Sequence, residues 1–176
     1  MINTKVVNKK LNEFDKIEYL LKNAFPKVEQ MSTTYLLIMS KRKTINFLAF
    51  YDDDLFIGFS YFIKTKDMIF ITYIAINDEI RSKGYGSKIL TYLKENNPTL
   101  PISLNVEMLD DNASNKEQRI KRVVFYERNG FKLLKNTVSN GKDTFSIMST
   151  KEPLDIKAYQ KALKQYSFGL YAPKVN

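Results

Sequence analysis

The segment from Met68 to Met108 constrains the fold more than any other stretch of the chain. It opens with a nearly continuous apolar run, Met68 to Ile76, interrupted only by Thr72. A run of that length and composition fits a strand covered on both faces, as a central strand is. A polar loop with Gly84 and Gly86 follows, and then Ile89, Leu90 and Leu93 recur at helical spacing until Asn96-Asn97-Pro98 stops the pattern. From Ile102 to Met108 the residues alternate, with Ile102, Leu104, Val106 and Met108 on one face and Ser103, Asn105 and Glu107 on the other. Strand, loop, helix, strand implies a parallel pair joined by a crossover.

Around this unit the pattern changes to antiparallel signals. Asn46 to Tyr51 and Leu55 to Ile63 are aromatic and branched, and Asp52-Asp53-Asp54 between them reads as a hairpin turn. Turn aspartates are usually solvated, so a metal site there is not expected. Phe131 to Val138 and Asp143 to Thr150 form a second hairpin with a turn at Asn140-Gly141. Helices are expected over Leu11 to Phe25, ended by Pro26, and over Lys116 to Arg128, ended by Asn129-Gly130. The second carries Ile120, Val123, Val124 and Tyr126 or Glu127 along its inner edge. Glu29 to Met39 is a short helix or an irregular connection. The expected fold is a mixed α/β domain over residues 1–150, a mostly antiparallel sheet with one parallel pair. Residues 151–176 form an extension with a short basic helix from Leu154 to Tyr166 and an aromatic end holding Phe168, Leu170 and Tyr171. That extension packs on the domain or at a homodimer interface.

Composition narrows the chemistry. The chain has neither cysteine nor histidine. Thiolate chemistry, disulfides, the usual neutral-pH base and the commonest zinc ligand are therefore excluded. Acid–base work falls to Glu, Asp, Tyr, Lys, Ser or water. The net charge of +9 favours an anionic partner without choosing one. Lysines scattered without stacking aromatics rank nucleic acid or ribosome binding low. The polar start lacks a signal-peptide core, and no apolar run approaches the ~20 residues of a membrane span. A cytoplasmic protein without a membrane partner is expected.

The loop Arg81-Ser82-Lys83-Gly84-Tyr85-Gly86 has the makings of a phosphate cradle. Amides at a helix start are unpaired and carry the positive end of the helix dipole. Glycines let the backbone approach an anion closely, and Arg81, Lys83 and Lys88 add formal charge. A Walker loop fails because Arg81 stands at the first glycine and Ser87-Lys88 reverses the required order. A dinucleotide fingerprint fails because Ile89 stands where its third glycine is needed.

The same six residues match the Arg/Gln-x-x-Gly-x-Gly/Ala loop of the GNAT superfamily of N-acetyltransferases. Phe125-Tyr126-Glu127-Arg128-Asn129-Gly130-Phe131 is similar to that family's helix-ending segment. The resemblance covers roughly residues 11–150. It implies acetyl-coenzyme A as acyl donor, no metal, and direct transfer to a primary amine of a small molecule or protein. It implies that the backbone of Ile74, Ala75 and Ile76 pairs with the pantetheine arm, and that Arg81 to Ser87 (with Lys83, Gly84, Tyr85 and Gly86) hold the pyrophosphate. Tyr126 matches the general acid at the leaving sulfur. Glu107, on the polar face of its strand, is the candidate base, with Glu79 nearer the loop and a water relay as the alternative. The family's cofactor-contacting asparagine, seven residues before the tyrosine, is replaced by Arg119; either Asn112 or Asn115 takes over that contact, or Arg119 itself meets a cofactor phosphate or lies on the solvated face. A non-catalytic acetyl-CoA-binding module is the alternative function. The acceptor itself is not legible.

Overall fold

A computed structural model describes residues 1–80, 83–140, 143–166 and 174–176. The chain divides into two compact units, one of Met1–Ile63 with Thr72–Pro98, the other of Lys64–Ile71 with Thr99–Asn176.

The first unit begins with a strand that the sequence pattern did not announce, β1 (Ile2–Val6), paired antiparallel to β2 (Ile45–Asp52) from Ile2↔Asp52 to Val6↔Leu48. Its residues alternate weakly and only Ile2 and Thr4 are even half-buried, so the pairing partner rather than apolar content makes it a strand. Then come α1 (Phe14–Ala24) and α2 (Thr33–Met39), separated by a single 3-10 turn at Lys27–Glu29. Ile17, Leu20 and Leu21 bury the inner stripe of α1. Phe25, which precedes a proline, is forced into extended backbone (φ −128°, ψ 147°) and ends the helix. On α2, Leu36 is fully buried while Ile38 stands 54% exposed. β2 pairs antiparallel with β3 (Leu55–Lys64), from Ile45↔Ile63 to Asp52↔Leu55, with a bulge between Phe50 and Tyr51. Phe47 packs edge-on against Phe59 (5.8 Å) and Tyr61 (5.3 Å), forming an aromatic core.

β4 (Ile69–Ile76) has its second half in this unit. Gly58 of β3 has φ +152°, and a Cβ there would lie 2.2 Å from the Ala75 carbonyl oxygen. Only glycine permits that approach. After β4, Asn77 fixes the chain: its N–H donates to the Ile57 carbonyl (2.9 Å) and its Nδ2 to the Phe56 carbonyl (3.1 Å). A 3-10 turn at Asp78–Ile80 leads towards the glycine loop, and α3 (Tyr85–Glu95) follows, burying Ile89, Leu90 and Leu93.

In the second unit, the start of β4 runs parallel to β5 (Ile102–Glu107) through Ile69↔Ile102, Phe70↔Ser103 and Ile71↔Leu104. This is the expected parallel pair. β6 (Lys132–Asn140) and β7 (Asp143–Ser149) form the expected hairpin, β7 pairs antiparallel with β5, and a two-residue β8 (Lys174–Val175) adds to β6. The hairpin turn at Gly141 and the aromatic end at Phe168, Leu170 and Tyr171 lie outside the described residues. α4 (Lys116–Arg128) buries Val123 and Tyr126, whereas Ile120, expected on the inner edge, is 41% exposed. α5 (Ile156–Tyr166) buries Ala158, Tyr159, Ala162 and Leu163, and the Tyr159 ring meets Phe70 edge-on at 5.6 Å.

The strand order is β1-β2-β3-β4-β5-β7-β6-β8. The fold is mixed α/β, a mostly antiparallel sheet with one parallel pair, as the sequence predicts.

Candidate active site

The glycine loop leads into α3 through a backbone that only glycine adopts easily. Gly84 sits in the left-handed region (φ 76°, ψ 6°) as the residue that starts the helix, and a Cβ placed there would meet nothing within 4 Å. Among the described residues no side chain caps this helix end, and no acidic residue occupies its first turn. The first amides of α3 are thus presented to whatever lies beyond Gly84, with the positive end of the helix dipole behind them. Gly86 is buried, Ser87 and Tyr85 are half-buried, and Lys83 is exposed. Lys88 is not a free cation: its Nζ is 2.7 Å from Asp52 Oδ2 and 4.8 Å from the Tyr85 ring centre. That pairing raises the Lys88 pKa and holds the Asp52 carboxyl below its usual range. Arg81 and Ser82 lie outside the described residues.

Upstream of the loop, Ile74 and Ile76 are half-buried while Ala75, between them, is buried against β3. The register joining β4 to β5 extends through Ile71. The 3-10 turn after β4 is anchored by α1, since Lys16 Nζ reaches Asp78 Oδ1 at 2.7 Å and Glu79 Oε1 at 2.8 Å. Glu79 is therefore an ion-pair partner of Lys16.

The second unit carries the titratable candidates. Tyr126 is buried, its ring edge-on to Phe125 (5.1 Å) and Phe131 (5.5 Å). Loss of water pushes its phenol up to about 12, against an opposing pull from the Arg122 guanidinium. α4 ends immediately after it. The Phe131 N–H donates back to the Tyr126 carbonyl (3.1 Å), and Gly130 turns left-handed (φ 81°), which fixes the ring-bearing turn.

The polar face of β5 is built into the protein rather than turned to solvent. Ser103 is fully buried and within 3.0 Å of the Ser149 hydroxyl. Asn105 accepts from the Tyr159 phenol at 2.7 Å. Glu107, whose side chain is 13% exposed, accepts from Arg122 Nη1 at 2.6 Å on one oxygen and from Asn115 Nδ2 at 2.9 Å on the other. Asn115 Oδ1 accepts from Arg119 Nε (2.8 Å), and Arg119 Nη1 donates to the Met108 carbonyl (2.7 Å). Arg119, standing where an asparagine was expected, is thus a structural link, and both ends of the Asn115 amide have protein partners. Asn112 is exposed in the loop before α4, its N–H donating to Asp110 Oδ1 at 2.9 Å. Sequence reasoning passed over Arg122. Its only sequence signal is its place one helical turn before Tyr126, which otherwise reads as part of a solvated face.

Among the described residues, no group of three or more metal-ligating side chains could hold a metal ion. No described helix is long and apolar enough to cross a membrane.

Residues 43–133, just over half of the chain, match the family model of the acetyltransferase (GNAT) domain. The chain belongs to the GNAT acetyltransferase family. A protein of Bacillus subtilis (strain 168), YjbC, provisionally named an acetyltransferase, is 34% identical over 71 residues. That match covers 40% of this chain and 34% of YjbC, so the chain spans about a third of the curated relative it matches. A provisionally named GNAT-family acetyltransferase from Bacteroides thetaiotaomicron has the same fold, with a TM-score of 0.78 and 23% identity over 96% of this chain and 99% of that one. An aminoglycoside 6'-N-acetyltransferase solved with coenzyme A shares the fold at a TM-score of 0.60 and 16% identity, over 84% of this chain and 95% of that one.

Proposed function

We propose that the chain is an acetyl-CoA-dependent N-acetyltransferase that moves an acetyl group directly to a primary amine of a small molecule or a protein. The observation that carries this reading is the start of α3. Left-handed Gly84 opens a helix end that no described side chain caps, with open space where its Cβ would stand and no acidic side chain in the first turn. Those amides suit a diphosphate, and the residues present fit coenzyme A. Lys83 and the first-turn amides of Tyr85, Gly86 and Ser87 would hold its diphosphate, together with Arg81 and Ser82. The backbone of Ile74, Ala75 and Ile76 would pair with its pantetheine arm.

When bound, acetyl-CoA supplies a thioester whose sulfur departs as a thiolate once an amine has attacked the carbonyl. Tyr126 is proposed as the group that meets that sulfur. Burial favours its neutral form, so it carries its proton at every working pH. Full transfer of that proton is disfavoured. The same burial that raises the phenol disfavours the phenolate that full transfer would leave. The phenol therefore acts chiefly by donating a hydrogen bond that stabilises developing charge. Glu107 was the sequence candidate for the base, but both its oxygens accept from cations or amides of the protein. This geometry supports a water relay for the ammonium proton, with Glu107 in a supporting place.

The test is thiol release from acetyl-CoA in the presence of an amine panel. Tyr126→Phe is expected to lower kcat by about 10²-fold, with coenzyme A affinity by calorimetry unchanged. A variant that turns over as fast as wild type removes Tyr126 from the chemistry. Tight coenzyme A binding without turnover on any amine would instead mark a binding module.

A further inference from the structure

We propose that Arg122, clamped by Glu107, is a positioning residue that acts through Tyr126 and strengthens its phenol as the hydrogen-bond donor to the leaving sulfur. The inference rests on the hydrogen-bonding role proposed for Tyr126 at the leaving sulfur.

Positions 122 and 126 are one turn apart on α4, and a long side chain on a helix leans back over the preceding turn. The two side chains therefore share one face of α4, with Tyr126 leaning towards the turn that carries Arg122. An unanchored arginine would sample many rotamers and carry its charge into solvent. Arg122 is anchored. Its Nη1 is 2.6 Å from Glu107 Oε2, and the carboxylate is itself held by Asn115 at 2.9 Å. Asn115 is held by Arg119 at 2.8 Å, and Arg119 is tied to the Met108 backbone at 2.7 Å. The chain of contacts runs from a strand end to a helix face with a backbone anchor.

The sign of the charge also fits. Arg119 Nε stands 3.6 Å from Glu107 Oε1. Two guanidiniums around one carboxylate leave that cluster with a net positive charge, and Arg122 is its member one turn from Tyr126 on α4. When Tyr126 gives its hydrogen towards a thiolate, negative charge accumulates on the phenolic oxygen, and a fixed cation nearby stabilises it. The other rings touching Tyr126, Phe125 and Phe131, carry no charge. The charged residues on the strands packed with α4 are Glu107 on β5 and Lys132 and Lys135 on β6, and Lys132 pairs with Glu152 at 3.5 Å. Burial raises the phenol, and the Arg122 charge on the same helix face opposes that rise. No bond is made or broken at Arg122. The amine proton goes to water, and the sulfur leaves with its electron pair whether or not the guanidinium is present.

The test has one arm without any cofactor. Full-length protein carrying 3-fluorotyrosine, whose phenol titrates at lower pH than that of tyrosine, is followed by ¹⁹F NMR, with the residue 126 line assigned by its loss in Tyr126→Phe. Arg122→Met is expected to raise the titration midpoint of that line by one pH unit or more. Arg122→Lys should restore most of the difference, and Lys121→Met, which removes an exposed charge from the same helix, should leave it unchanged. The second arm is thiol release. Arg122→Met is expected to lower kcat about tenfold with KM for acetyl-CoA unchanged, and to have no further effect in a Tyr126→Phe background. Identical midpoints in wild type and Arg122→Met overturn the inference, as does an undiminished Arg122→Met effect in the Tyr126→Phe background. If Tyr126→Phe alone turns over like wild type, the reading of Tyr126 as donor to the sulfur fails, and the inference falls with it whatever the midpoints show.

Discussion

Single atoms decide much in this chain. Gly58 has no Cβ because one would sit 2.2 Å from the Ala75 carbonyl oxygen and 3.0 Å from the Ile76 Cα. Both neighbours are backbone and cannot step aside. Gly58→Ala is expected to destabilise the protein by about 3 kcal/mol, read as a lower denaturant midpoint at unchanged slope. Gly84 poses the opposite case. Space around it is open, so Gly84→Ala meets only the left-handed backbone penalty of about 1 kcal/mol. If the proposed phosphate site is correct, coenzyme A affinity by calorimetry should fall by tenfold or more, well beyond that loss of stability. Equal affinity would place the diphosphate elsewhere. At this scale the sequence was legible for Gly84, because a strand–loop–helix context gives it a reason, and not for Gly58, whose close neighbour Ala75 lies on another strand. It was poorly legible for Glu107 and Ser103. Alternation put them on a polar face, but Ser149, Tyr159 and Arg122, which cover that face, come from distant stretches of chain.

At the scale of elements, the long periodic segments were readable and the short ones were not. α3, α4, β2 to β7 and the crossover follow from residue spacing within a few residues. β1 and β8 do not, since edge strands this short owe their form to the neighbouring strand's hydrogen bonds. Ile120 shows the limit of periodicity on α4. It sits in phase with Val123 but near the helix start, where it remains exposed. The anchoring of the 3-10 turn after β4 was also hidden, because Lys16 and Asp78 are far apart in sequence. Lys16 holds the Asp78 carboxyl below its usual range. A lowered carboxylate adds stability that is present above the ordinary value near 4 and is lost as pH falls through the lowered value. Denaturant midpoints measured from pH 6 downwards should therefore fall below about pH 4, and Asp78→Asn should flatten part of that fall. An identical profile in the variant would mean that the ion pair does not contribute.

At the scale of the whole molecule, each unit has its own apolar core, and the tail helix belongs to one of them. Tyr159 is fully buried, packs on Phe70 and donates to Asn105. Its removal as Tyr159→Ala is expected to cost about 4 kcal/mol, whereas Tyr159→Phe, which leaves the Asn105 carbonyl oxygen short of a donor, should cost about 1–2 kcal/mol. Thermal denaturation of both variants checks the order. The family assignment rests on the segment from the first hairpin to the start of β6, residues 43–133, and that segment includes the glycine loop and Tyr126 but not the tail. The donor is accordingly the better-supported half of the proposed reaction, and the acceptor depends on parts of the chain the family pattern does not cover. The most direct measurement is amine-dependent thiol release from acetyl-CoA by the full chain, with mass spectrometry of the amine. Saturable release matched one for one by acetylated amine is predicted. Release at the same rate with and without every amine tested, with no acetylated product, would contradict the account.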